Sequence, residues 1–285
     1  MSTCLLAAVV LFGADASLTT GPVETVAEGF LFTEGPVWLP GKGLIFSDIP
    51  ADTIYRADKT VFRHPSGQSN GLTLDGKGRL IAAEHANRRV SRTEEDGSIT
   101  VLADRYEGKR LNSPNDVVVR SDGMVFFTDP PYGLKGGLDG KDAELDFSGV
   151  YAVEPGKDLK LLVKDFIKPN GLAFSPDEET LYIADTEGAH IRAFDVAADG
   201  TLSSGRVFTE IPGPDGMKLD VQGNVWCTAR DGVRVISPGG KLLETIKFPE
   251  NPANCAFGEA DAKTLYVTAR KRVYKVPVGV VGIRP

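Results

Sequence analysis

Six acidic or amide side chains recur along the chain, each at the start of a short apolar segment. Carboxylate and amide oxygens are the ligands that hard cations such as Ca²⁺ prefer. If the six positions converge in space they could bind a divalent cation, with two carboxylates to balance its charge. The alternative is that these Asn-Gly and Asp-Gly pairs only form turns. The six residues are Glu34, Asn70, Asn115, Asn170, Asp215 and Asn254.

The segments that follow these residues belong to six similar units. Within a unit, short runs alternate apolar and polar residues with a period of two, and Gly, Pro, Asp and Asn separate the runs. Six units of four such runs predict an all-β fold, a six-bladed β-propeller with four antiparallel strands per blade. The first strand of each blade lines the central channel of a propeller. We therefore expect the six residues to form a ring around the channel axis.

The two ends of the repeat predict how the propeller closes. The sixth unit stops after its third run, near residue 278, and residues 22–30 form a run outside the first unit. We expect residues 22–27 to pair onto the last blade, because closure removes unpaired strand edges. Residues 21–285 then form a single propeller domain after a leader of residues 1–20. A Gly- and Pro-rich insertion at 129–149 is expected to be a functional loop.

Composition restricts the partners of the chain. The 285 residues have a formal net charge of −7 and no long run of one sign, which argues against a nucleic-acid groove. No segment approaches the length of a membrane span. Three His and three Cys residues leave little material for a zinc site. We interpret Cys227 and Cys255 as free buried thiols, with a disulfide between them as the alternative.

The N-terminus contains a short apolar run, LLAAVVLF at 5–12, followed by Ala14-Asp15-Ala16. This pattern favours a cleaved signal peptide over residues 1–16, and hence a periplasmic or secreted protein. The run has no Lys or Arg before it. The alternative is therefore a cytoplasmic protein with an N-terminal strand or leader.

Five motifs are specific when taken together: TEGPVW at 33–38, SPND at 113–116, TDPPYG at 128–133, PNGLAFS at 169–175 and PDGM at 214–217. They resemble the gluconolactonase, senescence-marker protein and luciferin-regenerating enzyme family, over about residues 22–278. The resemblance implies a six-bladed propeller with one divalent cation, usually calcium, and lactonase or related organophosphate hydrolase activity. It implies Glu34, Asn115, Asn170 and Asp215 as metal ligands and Asp215 as the catalytic carboxylate. Arg110 resembles a family arginine that contacts substrate.

The residues and the resemblance predict hydrolysis of a sugar lactone. One divalent cation would polarise the carbonyl, with Ca²⁺ as the first choice and Mg²⁺, Mn²⁺ or Zn²⁺ as alternatives. Asp215 would act as general base or as nucleophile. The expected substrate contacts, each with a packing, turn or solvent role as its alternative, are Asn70, His85, Arg110, Tyr132 and Asn254.

Two other functions remain open at this point. The same site could hydrolyse phosphotriesters or fluorophosphates, or the propeller could be a non-catalytic ligand-binding protein. Buried like charges are costly without a cation between them, so the pair Glu34 and Asp215 argues against the second alternative. We expect a monomer, since nothing in the sequence indicates an obligate oligomer.

Overall fold

Four-stranded antiparallel sheets form almost all of the regular structure. The computed structural model describes residues 17–285, so the predicted signal peptide lies outside the described residues. Within that range there are six such sheets, a two-stranded hairpin and one short 3-10 helix, which confirms the predicted six-bladed propeller.

The strands follow the chain in blade order. Strand β1 (Glu24–Glu28) precedes blade 1, which contains β2 (Thr33–Leu39), β3 (Gly43–Asp48), β4 (Thr53–Arg56) and β5 (Val61–Arg63). Blade 2 contains β6 (Ser69–Leu74), β7 (Leu80–Glu84), β8 (Arg89–Thr93) and β9 (Ile99–Ala103). The hairpin β10 (Arg105–Tyr106) and β11 (Lys109–Arg110) leads into blade 3, which contains β12 (Val117–Val119), β13 (Val125–Asp129), β14 (Ser148–Val153) and β15 (Lys160–Phe166).

The second half of the chain repeats the pattern. Blade 4 contains β16 (Pro169–Phe174), β17 (Thr180–Asp185), β18 (His190–Val196) and β19 (Leu202–Glu210). Blade 5 contains β20 (Met217–Leu219), β21 (Val225–Ala229), β22 (Gly232–Ile236) and β23 (Leu242–Ile246). Blade 6 contains β24 (Asn254–Gly258), β25 (Thr264–Ala269) and β26 (Arg272–Pro277), and its fourth strand is β1.

The propeller closes as the sequence predicts. Strand β1 pairs antiparallel with β26, with Glu24 opposite Lys275 and Glu28 opposite Arg272. Because β1 comes from the start of the chain and β26 from its far end, this pairing joins the sixth blade directly to the first. The outer edge of blade 6 is therefore covered by the chain's own N-terminal strand.

Alternating side chains place apolar surface on both faces of each blade. In β13, Phe127 packs on the blade 2 side with Ile81, whereas Phe126 packs on the blade 4 side with Ile183. Successive residues of a strand point to opposite faces, and here each face meets a neighbouring blade. The core is consequently a set of layers between blades, and it leaves the channel to the polar ends of the inner strands.

The insertion in blade 3 is held against blade 2 and the inner strands. It occupies residues 130–147, between β13 and β14, and includes the 3-10 helix Gly137–Asp139. Buried Arg88 donates from Nε to the Leu111 carbonyl at 2.6 Å and from Nη1 to the Asp142 carbonyl at 2.7 Å. The Ser113 hydroxyl donates to the Pro130 carbonyl at 2.6 Å. These contacts anchor both ends of the loop.

Two predictions about other features can be compared with this structure. Cys227 and Cys255 are both buried and free, as expected, and no disulfide joins them. Within residues 17–285, the chain has no helix of the length and apolarity that a membrane span requires.

Candidate active site

The predicted ring residues lie at the same end of the inner strands. Glu34, Asn70, Asn115 and Asn170 are buried, and Asp215 is partly exposed. Neighbouring blades are joined by hydrogen bonds to the backbone of these residues. The Gly71 amide donates to the Asn115 carbonyl at 2.8 Å, and the Gly171 amide donates to the Asp215 carbonyl at 3.1 Å. The ring is therefore positioned by contacts between blades.

The expectation that Asn254 opens its unit in register with the other five is wrong. Hydroxyl groups of Ser47 and Thr128 donate to the carbonyls of Asn70 and Asn170, each at 2.8 Å. The equivalent hydroxyl of Thr228 donates to the carbonyl of Ala253 at 2.7 Å. Ala253 thus occupies the ring position of blade 6, and Asn254 lies one residue further into the channel.

Asn254 and Asp116 close the channel beneath the ring. They come from blades 3 and 6, on opposite sides of the propeller, and Asn254 Nδ2 donates to Asp116 Oδ2 at 3.4 Å. Glycines in two other blades leave room for them. A Cβ atom on Gly216 would lie 2.0 Å from Asn254 Cγ, and one on Gly71 would lie 2.4 Å from Asp116 Oδ1. We call the Asp116–Asn254 pair the channel floor.

Three carboxyl groups face this small volume, and burial raises the pKa of each. The pKa of Glu34 rises from 4.5 to about 7, mainly through burial, while the Gly35 amide, donating at 2.8 Å, opposes the rise and Asp116 adds to it. Burial also raises the pKa of Asp215, and the charges of Glu34 and Asp116 add to that rise. The pKa of Asp116 is raised by burial and lowered in part by the Lys218 ammonium. The site is thus strongly unfavourable for negative charge unless a cation is present.

Neighbouring side chains fix the orientation of two ring amides. Asn170 Nδ2 donates to Thr186 Oγ1 at 3.0 Å, and the Thr186 hydroxyl donates to the Pro214 carbonyl at 2.7 Å. Asn70 Nδ2 lies 3.2 Å from His85 Nε2, which can accept its hydrogen because burial lowers the pKa of His85 to about 4 and keeps the ring neutral. Because the Nδ2 atoms of Asn170 and Asn70 are already hydrogen-bonded, the amide oxygens of both residues remain available to another ligand.

The insertion brings Tyr132 to the ring, whereas Arg110 lies outside it. Although 40% of Tyr132 is exposed, burial raises its pKa to about 12, with Thr186 opposing the rise and Asp215 adding to it. The tyrosine hydroxyl therefore faces the ring. Arg110 belongs to the short hairpin, and its guanidinium lies 3.4 Å from the Asn87 carbonyl. A contact between Arg110 and substrate stays a prediction.

The donor set fits a hard divalent cation. Among residues 17–285, no three His, Cys, Asp or Glu side chains cluster so that they alone could hold a metal. A cation at this ring must therefore use amide oxygens as well as carboxylates, and the orientation of Asn170 suits that need. The charge of Glu34 also opposes ionisation of Asp215, and a cation between the two acids would offset that cost.

Three residues at the site were missed by sequence reasoning. Asp116 stands where four of the other blades have glycine, which is a signal visible in the repeats. Lys218 is the charged residue of an otherwise apolar inner strand, MKL. Thr186 carries no signal of its own, since its role depends on a contact with another strand.

Fold and site together define a six-bladed β-propeller with an acid- and amide-lined central channel. The chain belongs to the SMP-30/gluconolactonase/LRE-like family, whose model matches residues 32–271.

Curated relatives align over most of the chain. It is 34% identical to a gluconolactonase of Zymomonas mobilis, over 90% of this chain and 81% of that protein. It is 31% identical to a pentonolactonase of Haloferax volcanii, over 82% of this chain and 80% of that protein. The solved structure of a gluconolactonase from Xanthomonas campestris superposes with a TM-score of 0.83 at 36% identity, covering 90% of this chain and 89% of that one.

Proposed function

We propose that the protein is a lactonase that hydrolyses a sugar lactone at the ring, with a divalent cation bound there. The observation that carries the proposal is the pair Glu34 and Asp215, two ring carboxyl groups whose pKa is raised by burial, with the charge of Glu34 raising the pKa of Asp215 further. The family and the named relatives support the reaction class, since two of them are called lactonases that act on sugar-derived rings.

Four side chains would hold the cation: Glu34, Asn115, Asn170 and Asp215. When bound, a divalent cation of this kind polarises a carbonyl oxygen and stabilises the negative charge that develops on it. Ca²⁺ suits the site because it accepts mixed carboxylate and amide oxygens. The two carboxylates match the charge of the ion, and the nearby Lys218 ammonium lowers the pKa of Asp116 in part.

The chain's own residues supply the remaining steps. Asp215 is the ring carboxylate that is partly exposed, so it can reach a water molecule or the lactone carbonyl carbon. As a general base it would take a proton from water as the water oxygen bonds to the carbonyl carbon; the ring C–O bond would then break, and Asp215 would return the proton to the leaving oxygen. As a nucleophile it would bond to the carbonyl carbon and displace the ring oxygen, which takes a proton from water, and a second water would hydrolyse the resulting ester. The Tyr132 hydroxyl and the Asn70 amide can hydrogen-bond the hydroxyl groups of a sugar ring. The channel floor excludes water from below.

The proposal is tested with the Asp215→Asn variant and a panel of lactones. D-glucono-1,5-lactone and pentonolactones are hydrolysed in the presence of Ca²⁺, and acid release is corrected for spontaneous opening. We expect Asp215→Asn to lower kcat by at least about a hundredfold, because a general base typically contributes that much or more to the rate. Asp158→Asn, a change at an exposed position in the loop before β15, is the matched control and should keep full activity.

Two results would overturn the proposal. Full activity of Asp215→Asn would show that this carboxylate takes no part in the reaction. Absence of lactone hydrolysis by the unmodified protein, with hydrolysis of a phosphotriester under the same conditions, would assign the site to the other reaction class.

A further inference from the structure

A cavity lies at the mouth of the central channel opposite to the ring. It has a volume of about 280 Å³ and is lined by the far ends of the inner strands of blades 2 to 5. Ring residue Asn70 and cavity residue Leu74 are four positions apart on β6, so the two ends of the channel are separated by roughly 13 Å at about 3.3 Å per residue. The cavity is therefore distinct from the ring site.

The channel floor separates the two sites. Asp116 and Asn254 are almost fully buried and meet across the channel axis. Neither residue lines the lower cavity. A ligand in the cavity consequently has no direct path to the lactone site, and the two sites should be occupied independently.

Apolar side chains form the walls of the cavity. They come from four different inner strands and from the C-terminal segment, which crosses this face through a hydrogen bond from the Ile283 amide to the Leu219 carbonyl at 2.8 Å. The wall residues are Leu74, Val119, Phe174, Leu219 and Ile283. A volume near the lower end of the usual range for small-molecule sites, about 300 Å³, restricts the occupant to a small ligand.

Lys218 supplies an available positive charge in this cavity. The residue is half-buried, and its single side-chain hydrogen bond among residues 17–285 goes to the Met217 carbonyl at 3.0 Å. Its charge also lowers the pKa of Asp116 on the channel floor. The two acidic side chains of the lining are already engaged. Asp75 pairs with Arg79 at 2.7 Å, and Glu178 accepts two hydrogen bonds from Ser121.

The two arginines of the lining are engaged as well. Arg120 donates to the carbonyls of Ala197 and Ala198, and Arg284 donates to the carbonyl of Glu259 at 2.5 Å. Of the three cations in the lining, Lys218 makes the fewest hydrogen bonds within residues 17–285, one of the three that its ammonium can donate.

We propose that the cavity is a second binding site, for a small organic anion whose carboxylate pairs with Lys218 and whose apolar body lies against the cavity walls. The chemistry requires both parts. A charged ligand without an apolar body would leave the walls exposed to water, and an apolar ligand without charge would leave two ammonium hydrogens without an acceptor. Short alkyl carboxylates satisfy both requirements within the available volume.

The test uses hexanoate as the probe and the full chain saturated with Ca²⁺. Hexanoate is titrated calorimetrically, and hexan-1-ol serves as the uncharged comparison. We expect saturable binding of one hexanoate per chain, with binding of hexan-1-ol weaker by about tenfold or more. Lys218→Met should weaken hexanoate binding to the level of the alcohol. Lys241→Met removes an exposed lysine of the same blade and should leave binding unchanged.

A second variant keeps the test decisive if Lys218→Met does not fold. Val119→Trp fills the cavity from β12 and leaves the ammonium in place, and it should abolish hexanoate binding while lactone hydrolysis continues. Three results would overturn the proposal: no saturable binding of hexanoate, equal binding by a folded Lys218→Met variant, or competition between hexanoate and lactone substrate. Lactone hydrolysis is measured on the same samples, so failure here is distinguishable from failure of the proposed function.

Discussion

Replacing Glu34 with Gln should make the metal-free protein more stable at pH 8 and should remove its stabilisation by Ca²⁺. The pKa of Glu34 is raised from 4.5 to about 7, first by burial. The difference of about 2.5 pH units corresponds to roughly 3 kcal/mol between the charged and neutral forms, at about 1.4 kcal/mol per unit. A neutral Gln avoids this cost, and its amide oxygen can still accept the hydrogen bond from Gly35.

The pH dependence has a definite sign. A carboxyl group whose pKa is higher in the folded state than in the unfolded state contributes stability below its unfolded value, and that stability is lost as the pH rises through the folded value. The metal-free protein should therefore lose about 3 kcal/mol of unfolding free energy from Glu34 between pH 4.5 and pH 8. Ca²⁺ requires the ionised carboxylate, so its stabilising effect should grow over the same interval.

The assay is denaturant unfolding at a series of pH values from 5 to 8, in a chelator and in saturating Ca²⁺. Glu34→Gln should flatten the pH dependence in the chelator and should show little response to Ca²⁺. Glu95→Gln, at an exposed turn, is the matched control and should behave like the unmodified protein. If metal-free Glu34→Gln is less stable than the unmodified protein at pH 8, or if Ca²⁺ stabilises both equally, the electrostatic reasoning is refuted.

Three further substitutions test separate parts of the site. Gly216→Ala places a Cβ atom 2.0 Å from Asn254 Cγ and should destabilise the fold by about 1–3 kcal/mol in denaturant unfolding. Its control, Gly76→Ala, places a Cβ atom in open space and should change the stability little. Equal effects of the two substitutions would contradict the close packing of the channel floor. Tyr132→Phe should raise the KM for aldonolactones roughly fivefold with kcat nearly unchanged, as expected for the loss of one neutral hydrogen bond; an unchanged KM would place the hydroxyl away from substrate. His85→Ala should lower kcat/KM about tenfold, because Asn70 loses one hydrogen bond. The pH profile of activity between 5 and 8 should not shift, because His85 is neutral over that range. A shifted profile would show that His85 titrates during turnover.

The repeated pattern predicts the fold well because a propeller is built from local units. Each strand alternates its residues between two apolar interfaces, as Phe126 and Phe127 do, so period-two runs mark the strands directly. The closing strand is also readable, since residues 22–30 have the pattern of a strand and no place in the first unit. These features depend on residues close together in the chain.

The candidate site is only partly readable from the sequence, because its details depend on contacts between distant strands. Asn254 matches the ring residues in chemical type, and the one-residue offset is visible only in the hydrogen bond from Thr228 to Ala253. The charge of Lys218 reaches Asp116 from a different blade. The substrate contact of Arg110 was expected from its resemblance to a family arginine, and the sequence does not show that its guanidinium lies 3.4 Å from the Asn87 carbonyl.

The most direct test of the proposed function is the hydrolysis of D-glucono-1,5-lactone by metal-stripped protein, before and after titration with Ca²⁺. We expect hydrolysis at the spontaneous rate in the absence of metal and a saturable return of activity that follows Ca²⁺ binding to a single site. Full activity of the rigorously stripped protein, or Ca²⁺ binding that leaves the rate of hydrolysis unchanged, would contradict a cation-dependent lactonase at this ring.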